Sequence, residues 1–341
     1  MYVTAIEGNE PRKGAAPMGD VMTAASADLA PVAIGEELIE RWKAFLDVKP
    51  RSAETYTKNV RQFMRYLAAR DIKQPTRQDI LSYRDELEAE GKKAATINGY
   101  IVAVKLFFVW TSVNGIYPDV AAHIKGKKLS HDYKKDPLTV KQARAVLKTC
   151  DRATVKGKRD FAILSLMMST GLRTIEISRA NIEDLQTKEI EGKKQPEDIT
   201  VLYVLGKGRD DRQEFVKLPP PVLDAVRDYL QAVSKGKPLK ATAPLFGSTS
   251  RNNEGGRMST RSVSRLVKEH CIEAGINSSR VTAHSLRHTA ATLMLRGGTP
   301  VSEIQQILRH KDINTTLIYA HMMNRAETKG ESTAARAIFG R

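Results

Sequence analysis

From Thr282 to Ala320 the chain reads TAHSLRHTAATLMLRGGTPVSEIQQILRHKDINTTLIYA, and its apolar positions recur at helical spacing between two breaks. His284 and Arg287 stand three apart at the start of a helix that Ser285 is placed to cap, so their side chains share one face. Leu286, Ala290, Leu293 and Met294 form the other, core-directed face. Gly297-Gly298 ends this helix, and Thr299-Pro300 starts the next with proline at its favoured first position. Val301, Ile304 and Leu308 bury that second helix and leave Arg309 and His310 at its exit. Asn314 or Thr315 opens a last helix bearing Tyr319. Tight turns between the helices would bring His284, Arg287, His310 and Tyr319 into one pocket. Cationic groups around a phenol suit chemistry on a phosphodiester.

At 341 residues the whole chain is long for one domain, and two are expected. An apolar fraction of 41% is enough for real cores and argues against a disordered chain. The net charge of +16 and pI of about 9.7 favour a polyanionic partner. No helix gathers its charge along one face as binding to a membrane surface requires. No apolar run is read as approaching the roughly 18 residues of a membrane span, and no signal peptide is expected at the N-terminus. Cys150 and Cys271 lack the spacing of a zinc site or a disulfide framework, which fits a reducing, cytoplasmic setting.

Residues 1–35 are rich in Ala, Gly, Pro and Met without periodicity, and a flexible tail is expected there. Residues 36–122 carry four helical patterns. Leu38, Trp42 and Phe45 mark the first, and Ser52 is placed to cap a second that holds Tyr56, Val60, Phe63 and Leu67. Thr76 with Asp79 resembles the capping box of a third, which ends at Gly91. A fourth runs from about Ala94 to Val113, with Ile97, Ile101, Val104 and Phe108 on one face. Together they make a small bundle. Lys58, Arg61, Arg65, Lys92, Lys93 and Lys105 on it are candidate phosphate contacts, as are Lys127 and Lys128 beyond it, although charged helix residues are as often simply solvated. Residues 123–137, HIKGKKLSHDYKKDP, read as a basic interdomain linker that lies on the polyanion.

The second domain, residues 138–341, opens on Thr139 as the cap of a helix to about Thr149. In FAILSLMMSTGLRTIEISRA (161–180) the run from Phe161 to Met168 is apolar on every side, which predicts a buried helix. Thr170-Gly171 breaks it, and a short helix from Leu172 brings Arg173 beside the buried element. Residues 199–205 and 212–218 read as two strands of a hairpin joined through Gly206-Lys207-Gly208. Pro219 to Pro221 end the hairpin, a helix follows from about Val222, residues 241–256 form a polar loop, and helices resume near Thr260. The fold class is therefore mainly α with a small β-hairpin or sheet.

Each motif is weak alone. His284 and His288 are spaced like a metal pair, but Ser285 stands where the HExxH glutamate would be and further ligands are not evident. Gly206-Lys207-Gly208 lacks the spacing of a P-loop, and no tight carboxylate cluster suits a two-metal nuclease. Neither a metal nor another cofactor is expected.

In combination the order is specific. Arg173 in G-L-R-x-x-E, Lys207 in its hairpin, H-x-L-R-H from His284, then L-x-H and a tyrosine nine residues later resemble the tyrosine recombinase (phage integrase) family, over residues of about 36 to 325. The resemblance implies a helical core-binding, SAM-like DNA-binding domain at 36–122 and a mixed α/β catalytic domain. It implies Tyr319 as nucleophile, Arg173 and Arg287 as clamps on the scissile phosphate, and Lys207 as general acid. His284 and His310 would assist, and Glu176 would support Arg173. It also implies double-stranded DNA recombination sites as partners, a dimer on each site, a homotetramer in the working assembly, and strand exchange through a Holliday junction.

Elementary chemistry agrees with these roles. Attack on a phosphodiester puts negative charge on the non-bridging oxygens, which two guanidinium forks match. A phenol with a free pKa of about 10 needs cationic neighbours or a base, and an imidazole near 6.5 can supply one. Two features depart from the pattern. Arg-Asp-Asp-Arg after Gly208 is less basic than a DNA-facing hairpin should be. The first 35 residues stand where many integrases of mobile elements carry an arm-binding domain, which favours an enzyme that reads core sites only. The tail holds a small apolar surface from Ala334 to Phe339, for which the resemblance implies docking on a neighbouring protomer, with packing on its own domain as the alternative. The competing readings are a type IB topoisomerase and a non-enzymatic DNA-binding protein.

Overall fold

Aromatic side chains organise the first of two units, Met1–His131 and Asp132–Arg341, into which the chain divides. The computed structural model describes residues 35–129, 136–190, 197–205, 212–322 and 330–340. Helices α1 (Glu36–Phe45), α2 (Pro50–Ala68), α3 (Arg77–Ala89) and α4 (Ala94–Val113) bury Trp42, Phe63, Tyr83, Phe107 and Phe108 between them. Trp42 meets Phe107 edge-on at 5.4 Å and Phe63 meets Tyr83 at 5.1 Å, separations at which aromatic pairs add to the burial of area. By length and composition α4 is long and apolar enough to cross a membrane, which corrects the reading that no run approaches a span. Its Ile97, Ile101, Val104 and Phe108 form the core of this unit, so its apolar character is that of a central bundle helix.

Two local expectations change here. Ser52 does not cap α2, because Lys49 is the N-cap and Pro50 the first helical residue, where its missing N–H is not needed. The segment expected to be a linker is anchored over 124–128. Asn98 Nδ2 donates to Lys127 O, Lys127 N donates to Asn98 Oδ1, and Lys105 Nζ donates to Ile124 O. Thr76 and Asp79 do form a capping box, and Gly91 at φ +75° follows the end of α3.

The second unit is built around α6 (Val155–Thr170), which is buried on nearly all sides after Lys158. Before it comes α5 (Val140–Lys148), capped by Thr139 and Gln142. After it come α7 (Thr174–Arg179) and the strands β1 (Leu185–Ile190), β2 (Glu197–Val204) and β3 (Glu214–Lys217). Then follow α8 (Pro220–Ser234), α9 (Thr260–Glu273), α10 (Ala283–Arg296), α11 (Val301–Leu308), α12 (Asn314–Met322) and α13 (Gly330–Phe339). Helices α8 and α10 pack on α6.

Among the described residues the sheet is antiparallel in the order β1-β2-β3, with Leu202 opposite both Leu185 and Val216. Strand β1 was not foreseen, since in Leu-Gln-Thr-Lys-Glu-Ile only the two ends are apolar. The prolines at 219–221 open α8 as well as closing the hairpin: Pro219 is the N-cap, and Pro220 and Pro221 lead the helix. Helix α7 begins at Thr174, two residues later than expected, which leaves Arg173 as its N-cap.

Candidate active site

Helix α6 ends on Gly171, whose left-handed φ of +66° suits glycine, and a Cβ there would collide with the side chain of Leu308. This close approach sets the base of the site. Two residues on, Arg173 sits in extended backbone before α7. The fully buried carboxylate of Glu176 accepts from Arg173 N at 2.7 Å and from Arg173 Nη1 at 3.0 Å. One acid therefore caps α7 and aims the guanidinium, and Arg173 keeps 29% of its side chain exposed toward a cleft.

Helix α10 starts one position before His284. Its N-cap is Thr282, and Ser285 is the third helical residue, with Oγ accepting from Thr282 N at 3.0 Å. Ser285 is thus a partner of the cap rather than the cap itself. Arg287 is only 1% exposed. Its Nη1 donates to Gly171 O at 2.6 Å and its Nη2 donates to Leu308 O, so one guanidinium ties α6, α10 and α11 together. Burial first, and then the Arg173 charge, pull its pKa down to about 9, with Glu176 acting in the opposite sense. It stays charged at neutral pH, and the pocket is left with more cation than its own acids offset. Arg173, His284, Arg287 and Lys268 line a cleft of about 670 Å³.

Helix α11 follows Pro300, which is the N-cap rather than the first helical residue, and ends on Arg309 in the left-handed region, φ +54°. Helix α12 then carries Tyr319, 2% exposed, into a small core with Ala291, Ile304 and Leu308. The ring of His310 lies nearly parallel to that of Tyr319 at 6.3 Å, and His288 meets it edge-on at 5.3 Å. His284 stands one ring further out, 4.7 Å from His288. His310 Nδ1 is hydrogen-bonded to Thr316 Oγ1 at 2.8 Å. Burial holds both His288 and His310 near a pKa of about 4, helped by His284 and Arg287 at the first and by Arg287 and Arg173 at the second. Both imidazoles are neutral at pH 7 and retain a lone pair for a proton. Burial raises the Tyr319 phenol above its ordinary value, while Arg287 and Arg173 pull the other way. The cations that oppose that rise are the ones facing the cleft.

The structure thus gathers Arg173, Glu176, His284, Arg287, His310 and Tyr319 in one region of the second unit. Lys207 lies outside the described residues. The cationic candidates of the first unit divide in two. Lys58, Arg65, Lys93 and Lys128 are exposed and pair with no acid among the described residues. Arg61, Lys92, Lys105 and Lys127 are half-buried and engaged. Arg61 bonds Glu36 and Glu40, Lys92 bonds Glu90, Lys105 bonds a carbonyl, and Lys127 bonds Glu88 at 2.6 Å and Asp85 at 3.1 Å. A cation already held by an acid or a carbonyl must give up that partner to meet a phosphate.

Two residues at the site were given no catalytic part in the sequence. His288 drew notice only as a metal-spacing partner of His284, although that same spacing places it on the helix face toward Tyr319. In the sequence Arg309 is only half of a basic pair with His310, and its contact with Glu176, 133 positions away, leaves no local signal.

A helical unit followed by a mixed unit in which arginines, histidines and a buried tyrosine converge is the architecture of one group of enzymes. Residues 137–325 match the phage integrase family and residues 39–113 match the phage integrase N-terminal SAM-like domain, so the chain belongs to the phage integrase family. It is 28% identical over 289 residues to the tyrosine recombinase XerA of Pyrococcus furiosus, covering 84% of this chain and 90% of that one. It is 29% identical over 299 residues to the tyrosine recombinase XerC of Pelobacter propionicus, covering 84% and 92%. Among solved structures, XerH site-specific recombinase bound to palindromic difH substrate is similar with a TM-score of 0.64 at 19% identity, covering 88% of this chain and 83% of that one. A lambda integrase dimer bound to a COC′ core site is similar with a TM-score of 0.59 at 17% identity, covering 82% and 96%. At these identities the structural likeness shows the fold.

Proposed function

We propose that this tyrosine recombinase cleaves and rejoins double-stranded DNA at specific sites, with Tyr319 as its nucleophile. One observation carries the reading: Arg173 and Arg287 face a cleft from a pocket rich in cations, while the Tyr319 ring lies against two neutral imidazoles. The phenolic oxygen attacks phosphorus, the bond to the 5′ oxygen breaks, and the 3′-phosphate stays on Tyr319. Arg173 and Arg287 hold the non-bridging oxygens as their charge grows. The phenol's proton passes to the imidazoles on its ring, His288 and His310, with His284, assigned as base, one ring further out to take it on through His288, and Lys207 gives a proton to the leaving 5′ oxygen. A 5′-hydroxyl of a second duplex then attacks the phosphotyrosine and releases the enzyme. Each step replaces one phosphoester by another, so the bond energy is kept and the scheme calls for neither ATP nor metal.

Exchange of one pair of strands leaves a Holliday junction, and two duplexes with a dimer on each give a four-protomer assembly. The exposed Lys58, Arg65, Lys93 and Lys128 are assigned to the phosphate backbone, and a DNA-associated location in the cytoplasm belongs to the same proposal. The test supplies two labelled duplexes that carry the site found by footprinting DNA beside the gene. Branched junctions and recombinant strands support the reading. Relaxation of a single supercoiled circle with no exchange between duplexes would contradict it and favour a topoisomerase.

A further inference from the structure

We infer that Arg309 is a positioning residue of this active site, sharing the Glu176 carboxylate with Arg173 and so fixing where the Arg173 guanidinium points. The inference rests on the reading of Arg173 as a phosphate clamp. Glu176 is fully buried and has two cationic partners: Oε1 accepts from Arg173 Nη1 at 3.0 Å, and Oε2 accepts from Arg173 N at 2.7 Å and from Arg309 Nη2 at 2.9 Å. An acid with both oxygens taken in this way cannot rotate without breaking one of the bonds. The side chain that aims Arg173 is therefore itself locked by Arg309.

The backbone at Arg309 supports a role for the side chain. It ends α11 at φ +54°, where glycine would sit without the strain that a Cβ brings. The guanidinium there is 94% buried. Nη1 donates to Ile307 O at 2.7 Å, while Nε has no hydrogen bond and faces Glu214 Oε2 of β3 at 3.7 Å. Strand β3 follows Lys207 in the sequence. Arg309 thus stands between the acid of α7 and Glu214 of β3.

Three consecutive residues each hold a different part of the machinery. Leu308 O accepts from Arg287, Arg309 bonds Glu176, and His310 stacks on Tyr319. The turn after α11 is therefore one rigid connection between the clamps and the nucleophile. Arg309 lines the cleft between α11 and β3 and is absent from the lining of the Arg173–His284 cleft, which is why it is assigned to positioning rather than to contact with phosphate.

The test measures single-turnover formation of the covalent adduct on a nicked duplex carrying the mapped site, with enzyme saturating, beside affinity for the same duplex and the melting temperature. Arg309→Gly relieves the backbone and removes the guanidinium. It is expected to slow adduct formation by about tenfold or more, with affinity within about twofold of wild type. Arg309→Lys keeps the charge and should recover part of the rate. In a Glu176→Gln background Arg309→Gly should add less than about twofold, because its route runs through that acid. Cleavage by Arg309→Gly within twofold of wild type would overturn the inference. So would an equal loss in the Glu176→Gln background, or a loss matched by weaker DNA binding. If Arg309→Gly melts lower than wild type, the ratio of Arg309→Lys to wild type in the two backgrounds decides in the same way. Absence of any adduct with wild-type protein would instead sink the parent reading of the site.

Discussion

Raising the pH should loosen the second unit through His270, a buried residue with no part assigned in catalysis. His270 is 6% exposed on α9, with Nδ1 2.7 Å from Thr149 Oγ1 and Nε2 3.3 Å from Asp160 Oδ2. The Thr149 hydroxyl spends its only proton on Val146 O at 2.7 Å, so toward His270 it can only accept. The Asp160 carboxylate also only accepts. A ring with hydrogen on both nitrogens, the imidazolium, satisfies both contacts, in line with its raised pKa. Its hydrogen bond to Asp160, then the one to Cys150, raise the pKa from 6.5 to about 9 against the cost of burial. Asp160 is pushed up by burial but held below its usual value overall by His270, Arg159 and Lys156.

The sign follows from proton uptake. Between 6.5 and 9 the folded state holds a proton that the unfolded chain releases, so this stabilisation is complete below pH 6.5 and fades as pH rises through 9. A shift of that size is worth about 3 kcal/mol at most, shared with Asp160. Urea unfolding of the second unit should be followed by far-UV circular dichroism, since both tryptophans, Trp42 and Trp110, lie in the first unit. Between pH 6.5 and 9.5 wild type should lose more stability than His270→Gln by about 2–3 kcal/mol. Parallel pH curves for the two proteins would refute the argument.

Two other outcomes bear on the site. Gly171→Ala places a Cβ in left-handed backbone against Leu308, and should cost about 1 kcal/mol for the conformation and about 1–3 kcal/mol for overpacking. Urea unfolding within about 0.5 kcal/mol of wild type would contradict the close approach of α6 and α11. Lys207→Ala should slow cleavage by about 10²–10⁴, and a substrate with sulfur in place of the bridging 5′ oxygen should restore it, because a thiolate leaves without a proton. Equal slowing on both substrates would remove Lys207 from the role of general acid.

Periodicity carried most of the fold. The bundle helices, the buried α6 and the three helices around Tyr319 all show as apolar stripes with stops at Gly91, Gly171 and Gly297. The misreadings are local and have one cause, which is competition between near-equivalent ends. Lys49, Pro220 and Thr282 take positions that Ser52, Val222 and Ser285 could have filled. Strand β1 carries no alternation and exists because β2 offers it an edge.

At the site the types of residue were legible and their tertiary partners were not. Glu176 three residues after Arg173 predicts their contact, whereas Arg309 reaching the same acid, and His270 meeting Asp160, depend on chain returns of more than a hundred residues. The buried Arg159 and Asp160 likewise sit in a helix whose apolar run begins only after them. Charge alone also does not separate the four of these eight cations that are engaged within their own unit from the four that are not.

The central claim is that Tyr319 becomes covalently joined to DNA. Wild-type protein incubated with the nicked site, digested and analysed by mass spectrometry should show a phosphodiester-linked nucleotide on the peptide bearing Tyr319, and Tyr319→Phe should form no adduct. An adduct that survives in Tyr319→Phe, or that maps to any other residue, would contradict the account.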